Sequence, residues 1–186
     1  MNDKGRMGAE CSVFVGVSLD GFIARPNGDL DWLMGEGRGD STEYGYNEFI
    51  ADIDAIVMGR KTFEKVVTFD TWYYGTKRVV VLSNQAVDLS VAKTRGGQVE
   101  RMTGSPAEIA SRLAASGVPR LYVDGGITIQ AFLRAGLIHR LIISRLPVLI
   151  GEGIPLFGSL PGDIRLRHFA TRTYPGGMVQ SEYHLA

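Results

Sequence analysis

The sequence holds a single cysteine, Cys11, in 186 residues, so an intrachain disulfide is excluded. No pair of His or Cys stands at the spacing of a metal site, and His139, His168 and His184 read as structural or exposed. No run approaches the ~18 apolar residues of a spanning helix, and the start, MNDKGRMGAEC, lacks the apolar core of a signal peptide. The expected compartment is the cytoplasm, with no membrane contact. An excess of either charge is also missing: 20 Lys+Arg stand against 20 Asp+Glu, and the pI is near 6.8. That balance argues against a protein that holds nucleic acid by neutralising phosphates. Two nucleotide signatures are absent as well. G-x-G-x-x-G does not follow the first apolar run, and G-x-x-x-x-G-K-[ST] occurs nowhere, so neither a Rossmann dinucleotide fold nor a P-loop is supported.

Glycine, by contrast, is abundant: 24 of 186 residues, about 13%, against a usual ~7%. A chain of this length buries roughly 70% of its extended surface on folding and can stand on its core alone. Residues 1–10 read as a disordered leader and 11–186 as one domain. Ser12 to Leu19 reads as a strand ending at Asp20-Gly21, followed by a long glycine-spaced loop from Arg25 to Gly39. Ser41 or Thr42 is expected to cap a helix running through Tyr44, Phe49 and Ile50. Asp54 to Met58 is a short buried strand, with a helix from Lys61. Arg78 to Leu82 (RVVVL) has the continuous apolar character of a parallel strand covered on both faces. Ser105-Pro106-Ala107-Glu108 is a capping box that opens a helix ending at Gly117. Arg120 to Val123 is a strand, Ile127 to Ala135 a helix, and Leu137 to Leu146 a strand. Ile164 to Tyr174 and Met178 to Leu185 flank Pro175-Gly176-Gly177 as a hairpin. Strands alternating with helices, closed by a hairpin, predict an α/β fold whose sheet is mostly parallel with antiparallel C-terminal strands.

Such sheets bind ligands at the carboxyl ends of their strands. Three turns are expected there. Met58-Gly59-Arg60-Lys61-Thr62 joins a strand to a helix through glycine, with two cations and a hydroxyl behind it. Asp124-Gly125-Gly126-Ile127-Thr128 repeats the strand-to-helix arrangement and lets an anion approach bare backbone. Leu82-Ser83-Asn84 is a polar stop suited to a ribose or its phosphate. Each turn alone reads equally as helix capping or tight-turn geometry. Together they fit a ligand with several phosphates.

Several blocks resemble the dihydrofolate-reductase-like superfamily: Ser18 to Ala24 (SLDGFIA), Gly28 to Trp32 (GDLDW), Met58 to Glu64 (MGRKTFE), Val79 to Asn84 (VVVLSN), Val123 to Gly126 (VDGG) and Gly151 to Phe157 (GEGIPLF). They are most similar to the branch containing the reductase domain of bacterial riboflavin biosynthesis. The resemblance implies helices on both faces of the sheet, NADPH across its strand ends, and hydride transfer to a small pteridine- or pyrimidine-like heterocycle. By the same resemblance Gly59, Arg60, Lys61 and Thr62 hold phosphates, and Gly125, Gly126, Ile127 and Thr128 the pyrophosphate. Leu82, Ser83 and Asn84 face the adenosine, with Arg60 the cation for its 2′-phosphate. Gly16, Val17 and Ile23 line the nicotinamide, beneath a flap formed by the following loop. Members of this branch are often homodimers, and the apolar Leu137 to Ile150 segment suits burial against a partner or in the core.

Hydride transfer needs an acid to supply or orient a proton. Asp20, at the mouth of the first strand, Asp124, before the Gly-Gly turn, and Glu48, on the helix after the flap, are the candidate catalytic residues, with Glu43 beside Glu48. Their plain alternatives are an Asp-Gly turn, a loop cap and a solvated helix face. Trp32, Tyr44, Trp72, Tyr73 and Tyr74 could stack a flat ring or fill the core. A genuine dihydrofolate reductase and a non-catalytic NADPH-binding protein are the competing readings. The H-x-E and P-C-x-x-C elements of a zinc deaminase are absent from the sequence.

Overall fold

The computed structural model describes residues 8–33 and 44–185. In chain order the elements are β1 (Glu10–Val17), β2 (Phe22–Ala24), α1 (Tyr46–Ala51), β3 (Ala55–Gly59), α2 (Arg60–Val66), β4 (Arg78–Leu82), α3 (Ser90–Thr94), β5 (Gln98–Met102), α4 (Pro106–Ala115), β6 (Arg120–Asp124), α5 (Gly126–Arg134), β7 (Ile138–Arg145), β8 (Ile154–Pro155), β9 (Leu166–Thr173) and β10 (Val179–Leu185). Eight strands form one sheet in the order β5-β4-β3-β6-β1-β7-β10-β9, and β2 pairs with β8 apart from it. The strands from β5 to β7 run parallel; β10 is antiparallel to both β7 and β9.

Strand β3 is apolar throughout because both faces are covered. Along β3, Ala55 and Val57 join one core cluster while Ile56 and Met58 join the other, the alternation that a pleated strand imposes. Helices α4 and α5 bring Ile109, Leu113, Ile129 and Phe132 to the first cluster. Helices α1, α2 and α3 bring Phe49, Phe63, Val66 and Ala92 to the second. The expected mostly parallel α/β fold, with antiparallel C-terminal strands and helices on both faces, is the observed one. The capping box is present: Ser105 Oγ accepts from the Glu108 amide at 3.3 Å, and Glu108 returns a carboxylate oxygen to the Ser105 amide at 2.7 Å.

Several boundaries differ from expectation for local reasons. Ala9 is buried and Glu10 already pairs with Arg120, so the first strand takes in the end of the expected leader. Gly45 is left-handed at φ 79°, which starts α1 only at Tyr46; the proposed caps Ser41 and Thr42 lie outside the described residues. Strand β7 lies between β1 and β10 rather than at a sheet edge, and this explains its apolar sequence. The short elements β2, α3, β5 and β8 have no counterpart in the expected set.

Candidate active site

The carboxyl ends of β4, β3, β6 and β1 stand side by side, with Gly59 aligned to Leu82 and Met58 to Asp124. The two glycine turns therefore meet. A Cβ at Gly59 would lie 2.9 Å from Thr128 Oγ1, and one at Gly125 would overlap Thr62 Oγ1. Each turn thus lacks a side chain where the other places its threonine. Thr128 is only 7% exposed, yet neither threonine hydroxyl has a hydrogen-bond partner among the described residues. The α5 backbone begins at Gly126, where first-turn N–H groups have no intrahelical acceptor. Two unpartnered hydroxyls, bare backbone and a helix N-terminus at one point form a receptor for an anion. Ile127 is 71% exposed beside it.

At the β1 side, a Cβ on Gly126 would stand 3.0 Å from Ile23 Cδ1, while Leu33 Cδ1 fills the space over Gly16 at 2.7 Å from its added Cβ. Val17 is buried, and its carbonyl accepts from the Leu146 amide. Ile23 thus packs against Gly126, while Leu33 and Leu146 cover Gly16. At the opposite end, Ser83 Oγ closes a turn on the Gln85 amide and carbonyl, and the Asn84 side chain is exposed. Arg60, expected as the cation for a ribose phosphate, is paired with Glu64 at 2.7 Å across one turn of α2. Lys61 is exposed. Arg101, which no motif singled out, reaches from β5 to donate Nη1 to the Ser83 carbonyl at 2.9 Å.

The three expected acids part company. Asp124 accepts the Gly125 amide on Oδ1 at 2.8 Å and a long 3.5 Å bond from the Tyr74 hydroxyl on Oδ2. Tyr46 and Tyr122 complete an aromatic wall around it, with Tyr122 OH donating to the Phe14 carbonyl at 2.9 Å. Burial of this carboxyl raises its pKa, against the lowering effect of the Gly125 amide and the Tyr74 and Tyr122 hydroxyls. The same enclosure raises Tyr46, Tyr74 and Tyr122 above the ordinary phenol value.

Asp20 is exposed and serves a different purpose. It accepts the Ile150 amide at 3.1 Å and the Gly151 amide at 2.8 Å. Its contact with Ser18, then these amides, lowers its pKa. This is a loop latch on a carboxylate, the turn-forming alternative for the Asp20-Gly21 pair. Glu48 lies in the first turn of α1. It lines a cavity of about 210 Å³ with Phe49, Arg140, Arg172 and Glu182, on the flank of α1 away from Tyr46. Glu43 lies outside the described residues.

Of the expected stacking aromatics, only Tyr74 faces Asp124. Trp72 is buried and donates to the Gly75 carbonyl, Trp32 packs on Leu146 and Met178, Tyr44 meets Tyr174 edge-on, and Tyr73 is exposed. Among the described residues no group of three His, Cys, Asp or Glu could hold a metal, and no helix is long and apolar enough to cross a membrane.

This constellation has a family. The sequence profile described as the RibD C-terminal domain matches residues 11–180. The chain belongs to the RibD C-terminal domain family. Among its relatives is the uncharacterized protein YwjB of Bacillus subtilis, 31% identical over 174 residues, which cover 92% of this chain and 95% of the relative. A crystal structure of a putative riboflavin biosynthesis protein from Shewanella sp. PV-4 superposes with a TM-score of 0.87 at 34% identity, covering 95% of this chain and 99% of that one. Dihydrofolate reductase from Enterococcus faecalis, solved with NADP(H), superposes at a TM-score of 0.63 with 15% identity, covering 95% and 96%. The dihydrofolate-reductase-like fold is thus common to the RibD C-terminal domain family and to this chain.

Proposed function

We propose that the protein is an NADPH-dependent reductase of a small pteridine- or pyrimidine-like heterocycle. The observation that carries this reading is the interlocked pair of turns, Gly59–Thr62 and Gly125–Thr128, whose threonine hydroxyls lack partners among the described residues, with Asp124 preceding the second turn. Membership of the RibD C-terminal domain family supports it, as does the likeness to the putative riboflavin biosynthesis protein of Shewanella sp. PV-4. The residues fit a dinucleotide. Thr62, Thr128 and the Gly125-Gly126 backbone would hold the pyrophosphate, with Gly59, Arg60, Lys61 and Ile127 around it. Leu82, Ser83 and Asn84 would border the adenosine, and Gly16, Val17 and Ile23 the nicotinamide.

The cofactor, when bound, supplies a hydride for the carbon of a C=N or C=O bond. The chain supplies position, exclusion of water and a proton. Asp124 is the acid for that proton. Its enclosure by Tyr46, Tyr74 and Tyr122 favours the neutral form, which donates to the heteroatom as the adjacent carbon is reduced. The carboxylate left behind keeps the Gly125 amide and regains its proton from solvent. Neither Asp20 nor Glu48 suits this step, the first because its carboxylate is held ionised by a loop and the second because it faces another cavity.

The test is a thermal-shift screen with NADPH, NADH and FMN, followed by NADPH with a panel of pterins and pyrimidines, since a ligand of the native state raises its apparent stability. NADPH should stabilise the protein, and one panel member should oxidise it catalytically. Stabilisation by FMN alone would sink the proposal. Turnover of dihydrofolate faster than a few per second would instead favour a genuine dihydrofolate reductase, and tight NADPH binding without any turnover a non-catalytic protein. We also place the functional unit as a homodimer using the C-terminal strands, where Phe169 is 63% exposed; light scattering that returns a monomer mass would remove that assignment.

A further inference from the structure

The strand order gives the cleft a direction. A dinucleotide with its reactive ring by Gly16 and Ile23 and its phosphates over the β3 and β6 turns must lay its other nucleoside across the ends of β4 and β5. Two arginines flank that end on the same face of the sheet. Helix α2, which begins with Arg60, packs on the cluster containing Val99, and Arg101 shares the Val99 face of β5 by strand alternation.

Their electrostatic situations differ. Arg60 is neutralised by Glu64 at 2.7 Å. Arg101 has no carboxylate partner among the described residues, because neighbouring Glu100 is held by Arg78. It donates a 2.9 Å bond from Nη1 to the Ser83 carbonyl. That bond fixes the guanidinium over the end of β4 and leaves its other N–H groups for a second acceptor. A pinned, uncompensated planar fork suits a phosphate better than one already paired with a carboxylate.

We infer that Arg101, anchored on the Ser83 carbonyl, reads the phosphate on the adenosine ribose and sets the preference for NADPH over NADH. This rests on the dinucleotide reading above and departs from the expected role of Arg60. A cation placed against that phosphate is the general means of selecting the phosphorylated cofactor.

Calorimetric titration of the full chain with NADPH, NADH, adenosine 2′,5′-bisphosphate and AMP tests it without any turnover. The wild type should prefer NADPH to NADH and the bisphosphate to AMP. Arg101→Ala should weaken NADPH and the bisphosphate by about 10- to 100-fold while NADH and AMP change less than about twofold. Arg101→Lys should recover part of the loss, since it keeps the charge but not the fork. Arg60→Ala should weaken both members of each pair by a similar, smaller factor. Arg101 is exposed on an edge strand, and an unchanged ligand-free melting temperature verifies folding. Equal losses for both members of a pair in Arg101→Ala, no loss at all, or selectivity abolished by Arg60→Ala alone would each overturn the inference. Wild-type protein that binds both cofactors equally would overturn it while sparing the dinucleotide reading. Wild-type protein that binds neither would overturn both.

Discussion

Two Asp-Gly pairs close parallel strands of the same sheet, Asp20-Gly21 after β1 and Asp124-Gly125 at the end of β6. Their glycines share one φ, with Gly21 and Gly125 both at 88°. Their surroundings do not. Asp20 is open to solvent, and the Ser18 side chain together with the two loop amides lowers its pKa. Asp124 is walled by tyrosines and has one amide and one long hydroxyl contact, so burial wins and its pKa rises. A Cβ on Gly21 would meet open space, whereas one on Gly125 would overlap Thr62 Oγ1. One dipeptide, with the same glycine φ, becomes a structural latch in one place and the candidate acid beside an anion receptor in the other. Environment, not residue type, assigns the roles.

The comparison breaks most sharply at the two carboxylates. Asp124→Asn should lower kcat by about 10²- to 10⁴-fold, the usual contribution of a general acid, while NADPH affinity stays within about twofold by titration. Steady-state kinetics above a tenth of the wild-type rate would deny Asp124 the proton. The wild-type rate should fall as pH rises through the raised pKa of Asp124, because the neutral form is the donor. Stability moves in step. The folded state holds this proton more tightly than the unfolded chain, so Asp124 lowers stability progressively as pH rises from the unfolded carboxyl value through the folded one. Asp124→Asn carries no charge and should melt higher than wild type at neutral pH despite its lost activity. That trade is common where a site holds a group its fold disfavours.

The glycines give the next largest contrast. Gly125→Ala forces a side chain into a left-handed residue and onto Thr62, and should lose about 1–3 kcal/mol of stability and at least ~10-fold in NADPH affinity. Gly21→Ala carries the backbone strain alone and should lose only about 1 kcal/mol with NADPH affinity unchanged. Denaturant melts and titrations of both variants check this; equal effects on NADPH would mean that the Gly125 turn does not hold the cofactor.

How much of this was legible in the sequence follows from the range of the forces involved. The Val79–Val81 run, the Ser105–Glu108 capping box and the two glycine turns are local signals, and each appears in the structure as read. Strand β5 was missed because QVERM is a polar edge strand in which only Val99 is buried, and with it went Arg101. Left-handed Gly45 delays α1 to Tyr46, and Glu48 lines a cavity with Phe49 and Arg140, a placement that depends on tertiary packing rather than on local pattern. Tyr122 reads as one more core residue in LYV. Only the placing of β6 between β3 and β1 sets its hydroxyl beside Asp124 and against the Phe14 carbonyl. The Asp20 latch spans 130 residues of sequence, from the first strand to Ile150, and no local pattern announces it.

That latch supplies the smallest effect and the most pointed one, since sequence alone would rank Asp20 with Asp124. Asp20→Asn should leave kcat within about threefold of wild type. Its stability effect should have the opposite pH dependence to that of Asp124. The folded pKa of Asp20 lies below the unfolded value, so its contribution is present above the unfolded value and is lost as pH falls through the folded one. Wild type should therefore melt slightly above Asp20→Asn at neutral pH, and the two should converge in strong acid. Melting curves across the acid range decide the matter. A difference that grows toward low pH, or a turnover defect as deep as that of Asp124→Asn, would mean that the two Asp-Gly pairs share a role that their environments argue against.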